Sequence, residues 1–497
     1  MKTVRWIAIV LVLCILAAVL LACGKTSADG EEPNGQKETK GQETQSGETD
    51  GEAETEPEDP LLTLEKRSFS KETVTILCRD DKQYEISVDE PDGDIVSDAV
   101  YARNNRVEEY LDVSIEMIPV AGTWDEQNVF LNKVKNSVYA EDGEFDLIAA
   151  YMAYGTQLGM DGYLADLSDV HSLNLNNKWW TQGFVSQNTI GNSIFFALGD
   201  ISLTMWESIY ALFYNKEMAE NYGVENMYRL VDNQEWTMEK WIEIVDLVTN
   251  ESEEYGEGVY GLSVNSHSVR AFVTTCGLPI CQRNEEGTYD LVYYSERLIN
   301  LYDMVYEFVN DKSHVFFSKP YPDSDYTEML QMFTGEQAMF MSGTLDVSPT
   351  IRGMKTNYGI LPFPKYDEEQ EDYRSHAYDG LSIFGIPAST TREDLVGYVL
   401  EALCAESYHS VVPSFYEEVM EYKVTRDADS IRMLEILRQK LYFDFGFVHA
   451  VPIGGLFQIF GDQIKAENRG FTSYYEGNES KYTEGLADVL EAYAEIG

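Results

Sequence analysis

The chain has 497 residues, a formal net charge of −50 at pH 7, 44% hydrophobic residues and 12% aromatic ones. That charge repels nucleic acid and anionic lipid headgroups, while the apolar content excludes a wholly disordered chain. The length exceeds what one hydrophobic core usually supports, so two domains are expected.

Met1 to Cys23 reads as a targeting segment. Lys2 and Arg5 form a positive start, and Trp6 to Val19 is an apolar run too short to span a bilayer, with no stop-transfer flank. Leu20-Leu21-Ala22-Cys23-Gly24 resembles the bacterial lipobox, which implies cleavage before Cys23 and lipidation of that cysteine. Losing Lys2 and Arg5 would take the net charge from −50 to −52. One acyl chain binds a membrane weakly, whereas the several chains of a bacterial lipoprotein make a durable anchor. Residues 24 to 66 have almost nothing apolar to bury and read as a solvated acidic tether.

The body reads as alternating strands and helices. Glu72 to Cys78 is a strand, followed by Arg79-Asp80-Asp81 at its carboxyl end, where open α/β sheets hold ligands, although surface charge is the favoured reading there. A helix follows over Asp94 to Leu111, then a strand over Asp112 to Val120, then a helix capped by Thr123 with Glu126 and running to Ala140. Phe145 to Ala149 is a third, buried strand, and Ala150 to Gly155 is a loop whose small residues and two tyrosines suit a ligand. Gly191-Asn192 joins two short strands.

Gly199 to Lys216 is the passage to a second lobe: a turn at Gly199-Asp200, a polar and aromatic segment, then a strand from Ile209. Helices are expected over Asn215 to Tyr222, Met238 to Val248 (capped by Thr237, with Trp236 packed at its start), Ser295 to Val309 and Tyr326 to Phe333. Strands are expected over Tyr260 to Val264 and Gly359 to Pro364, and Gly335 to Gly343 reads as a strand running into a glycine loop. Tyr366 to Tyr373 is an acidic loop. Gly380 to Pro387 looks like a second crossing strand. The tail is helical over Arg392 to Glu406, Tyr408 to Tyr422, Asp427 to Tyr442 and Tyr482 to Ile496. No internal repeat is present.

Catalytic signatures are weak. Gly256-Glu257-Gly258-Val259-Tyr260-Gly261 matches a dinucleotide pattern, but it leads into a strand rather than the helix N-terminus the pyrophosphate needs. The six histidines lack metal-ligand spacing, and no metal or cofactor is expected. No acid stands at a strand end with an obvious partner for glycoside hydrolysis. Of the cysteines beyond the lipobox, Cys276 and Cys281 flank a Gly-Leu-Pro turn. Free buried thiols are the favoured reading over a disulfide.

Five stretches, in order, carry a family resemblance: Phe145-Asp146-Leu147-Ile148 through Gly162 to Leu167; Phe213-Tyr214-Asn215-Lys216-Glu217 with Tyr222-Gly223; Trp236 to Trp241; Phe333 to Met339; and Gly359 to Pro364. Through them the chain resembles the family 1 extracellular solute-binding proteins, lipoprotein receptors of ABC importers, many of them for sugars. Gly199 to Ser202, Ala405 to Tyr408, Pro413 to Tyr416 and Thr425-Arg426-Asp427 resemble a clostridial-type subgroup. Asn250 to Gly258 lacks the Asp/Asn-Gly-rich insertion of some relatives, so no calcium site is inferred.

The resemblance implies an α/β, two-lobed periplasmic-binding-protein-like fold of type II, with hinge crossings around a central cleft that closes on its ligand. The expected division is a signal peptide over 1–22, a lipidated Cys23 and linker over 23–69, a first lobe over 70–200 plus 380–412, and a second lobe over 201–379 plus 413–497. Expected ligand contacts are Tyr151, Tyr154, Asp200, Trp206, Ser342, Thr344, Tyr378 and Asp379. Loop packing, hinge capping and core burial are the competing readings. For Trp180 and Tyr416 packing is favoured. The implied role is a monomeric, non-enzymatic receptor on the outer face of the cytoplasmic membrane. It would take a carbohydrate and serve the permease subunits of an importer. An anchored glycan-binding adhesin and a glycan hydrolase are the alternatives.

Overall fold

The computed structural model describes residues 59–255, 258–318, 325–420 and 428–496. The signal segment, Cys23, most of the tether, Gly256-Glu257 and Thr425-Arg426-Asp427 lie outside the described residues.

Strand β1 (Glu72–Arg79), strand β2 (Val113–Val120) and strand β3 (Leu147–Tyr151) run parallel, with β1 in the middle. Each crossover carries a helix, as parallel pairing requires. The first, Ile95–Leu111, starts because the Asp94 carboxylate accepts from Val96 N and Ser97 N, and it stops where Asp112 turns left-handed at φ 52°. The second, Gln127–Ala140, brings Phe130, Leu131 and Val134 onto the sheet. Leu77, Ile148 and Ala150 meet them there.

The chain then crosses to a second sheet. Its strands are β4 (Tyr210–Asn215), β5 (Tyr260–Asn265), β8 (Val315–Ser318), β9 (Ala338–Thr344) and β10 (Tyr358–Leu361), in the order β10-β4-β9-β5-β8. Between β5 and β8 lies a separate hairpin, β6 (Cys281–Arg283) and β7 (Tyr289–Leu291). Strand β4 is buried throughout, as its unbroken apolar and aromatic run predicts. Asn215 ends it and caps the next helix, accepting from Met218 N at 3.0 Å. Thr237 caps as expected, accepting from Lys240 N, and Trp236 is fully buried with its indole N–H on Pro362 O.

Strand β11 (Ser382–Gly385) returns to the first sheet and pairs antiparallel with β3. The two sheets are therefore the centres of two α/β lobes within an α/β fold. The crossings, 199–209 and 375–381, run side by side: Tyr210 N donates to His376 O, Tyr378 N to Ser208 O, and Ile209 bridges Ala377.

A buried carboxylate ties these crossings together. Glu85 accepts from Thr204 N at 3.1 Å and Thr204 Oγ1 at 2.8 Å on the outward crossing, and from Ser382 Oγ where the return crossing ends. Ser382 N donates to Thr204 Oγ1, and Ser202 Oγ to Ser382 O. The buried Arg103 guanidinium holds the turn that carries Glu85, donating to Glu85 O at 3.0 Å and Ile86 O at 2.7 Å.

Four expectations need correction. Ala150 to Gly155 is not a loop: β3 runs to Tyr151 and a helix, Met152–Met160, begins at once, because Gly155 lets it lie against Ala150 and Ile383. The chain does not loop at Gly343, which stays in extended β9 opposite Ala211. Gly380 to Pro387 is not itself the crossing, since its strand belongs to the first sheet. Glu406 does not end a helix: Glu393–Glu406 passes through a π turn, Ser407–Val411, into Val412–Met420. Cys78, Cys276, Cys281 and Cys404 are all buried free thiols.

Replacing Glu85 by Ala strands three donors at the crossings. Urea unfolding is expected to show a loss of roughly 3 kcal/mol with an unchanged m-value, at about 1–3 kcal/mol per buried unpaired group.

Candidate functional site

The ends of β1 and β3, the outward crossing and the end of β9 surround a cavity of about 330 Å³. A second lobe of space, about 260 Å³, adjoins it through the shared Trp124, Tyr151 and Tyr378, and reaches His267, Arg270 and Asp379. This is the location that open α/β sheets favour, beyond the carboxyl ends of parallel strands.

Three rings dominate the cleft. Tyr151 and Tyr378 hold each other through their hydroxyls at 3.2 Å. The Trp124 ring stands 6.4 Å from Tyr151 and is 45% exposed, an uncommon position for a tryptophan without a partner surface. Arg79 is nearly fully buried beneath them. Its guanidinium lies 4.6 Å from the Tyr151 ring centre, binds Asp81 through two bonds of 3.1 Å, and donates to Gly380 O at 2.8 Å. The cation therefore fixes both Tyr151 and the start of β11.

Carboxylates supply the acceptors. Glu207 accepts from Tyr84 Oη at 2.5 Å, and its burial pushes it up to about 7. Asp346 accepts from Thr344 Oγ1 at 2.5 Å, and burial raises it too. Half-buried Asp379 is pushed up to about 6 by desolvation, against the pull of the Arg270 charge. Together these groups offer flat apolar faces edged by hydrogen-bond acceptors and donors. No cluster of three or more His, Cys, Asp or Glu side chains arranged for a metal occurs among the described residues.

The structure brings together Tyr151, Thr344, Tyr378 and Asp379 of the expected residues. It separates the others. Tyr154 is completely buried behind Tyr151, donating to Gly122 O at 2.6 Å and packing on Phe130. Ser342 is buried two residues further into β9 than Thr344, so it sits inside the sheet rather than at its end. Asp200 and Trp206 line a different cavity, of about 320 Å³, with Trp180. Tyr416 packs edge-on against Trp206 at 5.8 Å. Asp80 does not line the cleft; Arg79, for which a surface role was favoured, does.

Sequence reasoning passed over Lys82, Trp124, Glu207, Asp346, His267 and Arg270. Trp124 had a usable signal: it lies four residues past the carboxyl end of β2, where the strand-end rule applies. His267 had the same signal, two residues past the carboxyl end of β5, whereas Arg270 lies a turn further into the helix Ser266–Thr275 and had none.

No protein-family model matches the chain, and no curated protein matches it by sequence. Solved structures do match in shape. The GacH receptor of Streptomyces glaucescens, described unliganded and with acarbose, superposes with a TM-score of 0.51 at 15% identity over 86% of this chain and 98% of that one. An ABC substrate-binding protein of Listeria monocytogenes in complex with cycloalternan gives 0.52 at 13% identity, over 85% and 99%. The galacto-N-biose-/lacto-N-biose I-binding protein of an ABC transporter from Bifidobacterium longum gives 0.57 at 10%, over 86% and 98%. This chain has the fold of the ABC-transporter substrate-binding proteins. The Trp124, Tyr151 and Tyr378 cavity is lined by residues that follow strands of both sheets.

Burial pushes Asp200 up to about 8, against about 3.9 for a free aspartate. Between those values the folded protein holds a proton that the unfolded chain releases, so this group's contribution to stability declines as pH rises from about 4 to 8. Asp200→Asn removes the effect. In urea unfolding, the variant's stability relative to the parent is expected to increase steadily from pH 5 to pH 8.

Proposed function

We propose that this protein is a membrane-tethered extracellular receptor that captures a carbohydrate between its lobes and hands it to the permease subunits of an ABC importer, making and breaking no bonds. The observation that carries the reading is the composition of the cleft: three aromatic rings beside the carboxylates of Asp81, Glu207, Asp346 and Asp379. A sugar ring has apolar C–H faces and a polar rim; the rings pack on the first, and the carboxylates accept from the hydroxyls of the second. Acarbose, cycloalternan and lacto-N-biose in proteins of like fold support the same chemistry. Lobe closure about the 199–209 and 375–381 crossings would exclude water and strengthen those bonds.

The tether follows from the lipobox-like segment at Leu20 to Gly24. Lipid on Cys23 and an extended acidic spacer would keep the body near the permease without pressing it onto an anionic surface. Mass spectrometry of the mature N-terminus tests this part, and Cys23→Ala should release the protein into the medium.

Isothermal titration against mono- and oligosaccharides, amino acids and peptides tests the substrate class. Saccharide binding with Trp124→Ala weakened roughly tenfold or more, equivalent to about 1.4 kcal/mol, and an unchanged melting temperature is the expected result. Binding of peptides alone overturns the carbohydrate reading.

The carboxylates set a pH dependence. Glu207 at about 7 and Asp379 at about 6 lose their charge as pH falls. Saccharide affinity should therefore decline from pH 8 towards pH 5, and Glu207→Gln should flatten the upper part of that profile.

A further inference from the structure

The cavity that holds Asp200 and Trp206 shares no lining residue with the saccharide cleft. The short helix Leu203–Glu207 serves both, giving Thr204 and Glu207 to the cleft and Trp206 to this second space. Its unmet groups are unusual. Arg438 lies 5.6 Å from the Trp206 ring centre and 5.1 Å from that of Tyr408. Among the described residues its guanidinium donates no hydrogen bond, and its nearest acid is Asp200 at 4.0 Å, too far for one. Lys178 Nζ stands 4.6 Å from the Tyr408 ring centre and forms no ion pair among the described residues. Trp206 Nε1 is buried without a partner, and Asp200 Oδ2 likewise. Both residues are more than nine-tenths buried.

The geometry points to this cavity as a binding site for a small organic monocarboxylate, received by Arg438 and Lys178 and separate from the saccharide cleft. Arg438, Lys178 and the Trp206 indole can only donate, so their common complement is an acceptor. Arg438 and Lys178 already cover faces of the Trp206 and Tyr408 rings, which removes the stacking surface a neutral sugar would use. A carboxylate matches the planar guanidinium fork. About 320 Å³ is at the small end of ligand cavities.

Charge favours a monoanion. Lys178 and Arg438 face one exposed acid, Glu435, which already accepts from Gln439 at 2.7 Å. Asp200, pushed up to about 8 by burial, is protonated at neutral pH and adds a donor. The other titratable groups around it are Tyr408, Tyr416, Cys404 and Glu401; burial holds the Tyr416 hydroxyl and Cys404 thiol neutral, and Glu401, raised by burial, lies behind Trp180 and accepts from the Trp179 and Trp180 indoles. One net positive charge remains, which suits a carboxylate better than phosphate with nearly two negative charges.

Titration calorimetry of the mature full-length chain with acetate, lactate and gluconate tests the site, with inorganic phosphate as the competing anion. One-to-one binding of at least one monocarboxylate is expected, weakened roughly ten- to a hundredfold by Arg438→Gln, as for loss of a charged hydrogen bond. Lys178→Gln, at an exposed position that folding does not depend on, should weaken it in the same direction. Affinity should fall between pH 7 and pH 9 in the parent and stay level in Asp200→Asn. Absence of monocarboxylate binding at millimolar concentration, unchanged affinity in Lys178→Gln, or a preference for phosphate overturns the proposal. Saccharide titration of the same samples reads the cleft separately, so failure of one site is distinguishable from failure of the other.

Discussion

The two-lobed arrangement depends on one buried carboxylate. Two chain crossings must lie side by side between separate sheets, and neither is long enough to form a ladder of its own. Glu85 resolves this by accepting from Thr204 on one crossing and Ser382 at the end of the other. Burial alone pushes Glu85 towards its neutral form, and those hydrogen bonds oppose the push. The group is therefore costly to bury and costly to remove, a combination that specifies a single arrangement of the crossings. Arg103, itself buried, fixes the turn from which Glu85 projects.

The cleft uses the same economy. Arg79 binds Asp81, the carbonyl of Gly380 and the face of Tyr151, so one cation joins the end of β1, the end of β3 and the return crossing. Tyr378 then reaches Tyr151 from that crossing. The recognition surface is thus assembled at the junction of the lobes, where any change in their separation alters it directly. The helix Leu203–Glu207 extends the junction's reach, because its opposite sides line two cavities of different chemistry: rings edged by acids on one side, unpaired donors on the other.

Much of this was legible from residue order. The apolar run at Ile209 to Tyr214 is β4, the Asn215 and Thr237 caps hold, and Tyr151, Tyr378, Asp379 and Thr344 reach the cleft because each lies at or near a strand end. The misplacements have one cause. Tyr154 and Ser342 are neighbours of cleft residues along the chain, but a helix beginning immediately after β3 turns Tyr154 inward, and Ser342 is two residues inside the end of β9. Trp206 and Glu207 are adjacent in sequence yet line different cavities, since successive helix residues point about 100° apart.

By itself the sequence determined the alternation of strands and helices and the apolar strand that follows Gly199, because periodicity, caps and apolar runs are local properties that survive in any context; the two-lobed fold came from the family resemblance of five short stretches. Only the tertiary structure decided which charged groups are buried and against whom. Asp200 faces Arg438, Glu85 faces Thr204 and Ser382, and Arg270 faces Asp379 across separations of 109 to 297 residues along the chain. Such pairings are set by how two sheets and their crossings meet, and no spacing along the chain encodes that meeting.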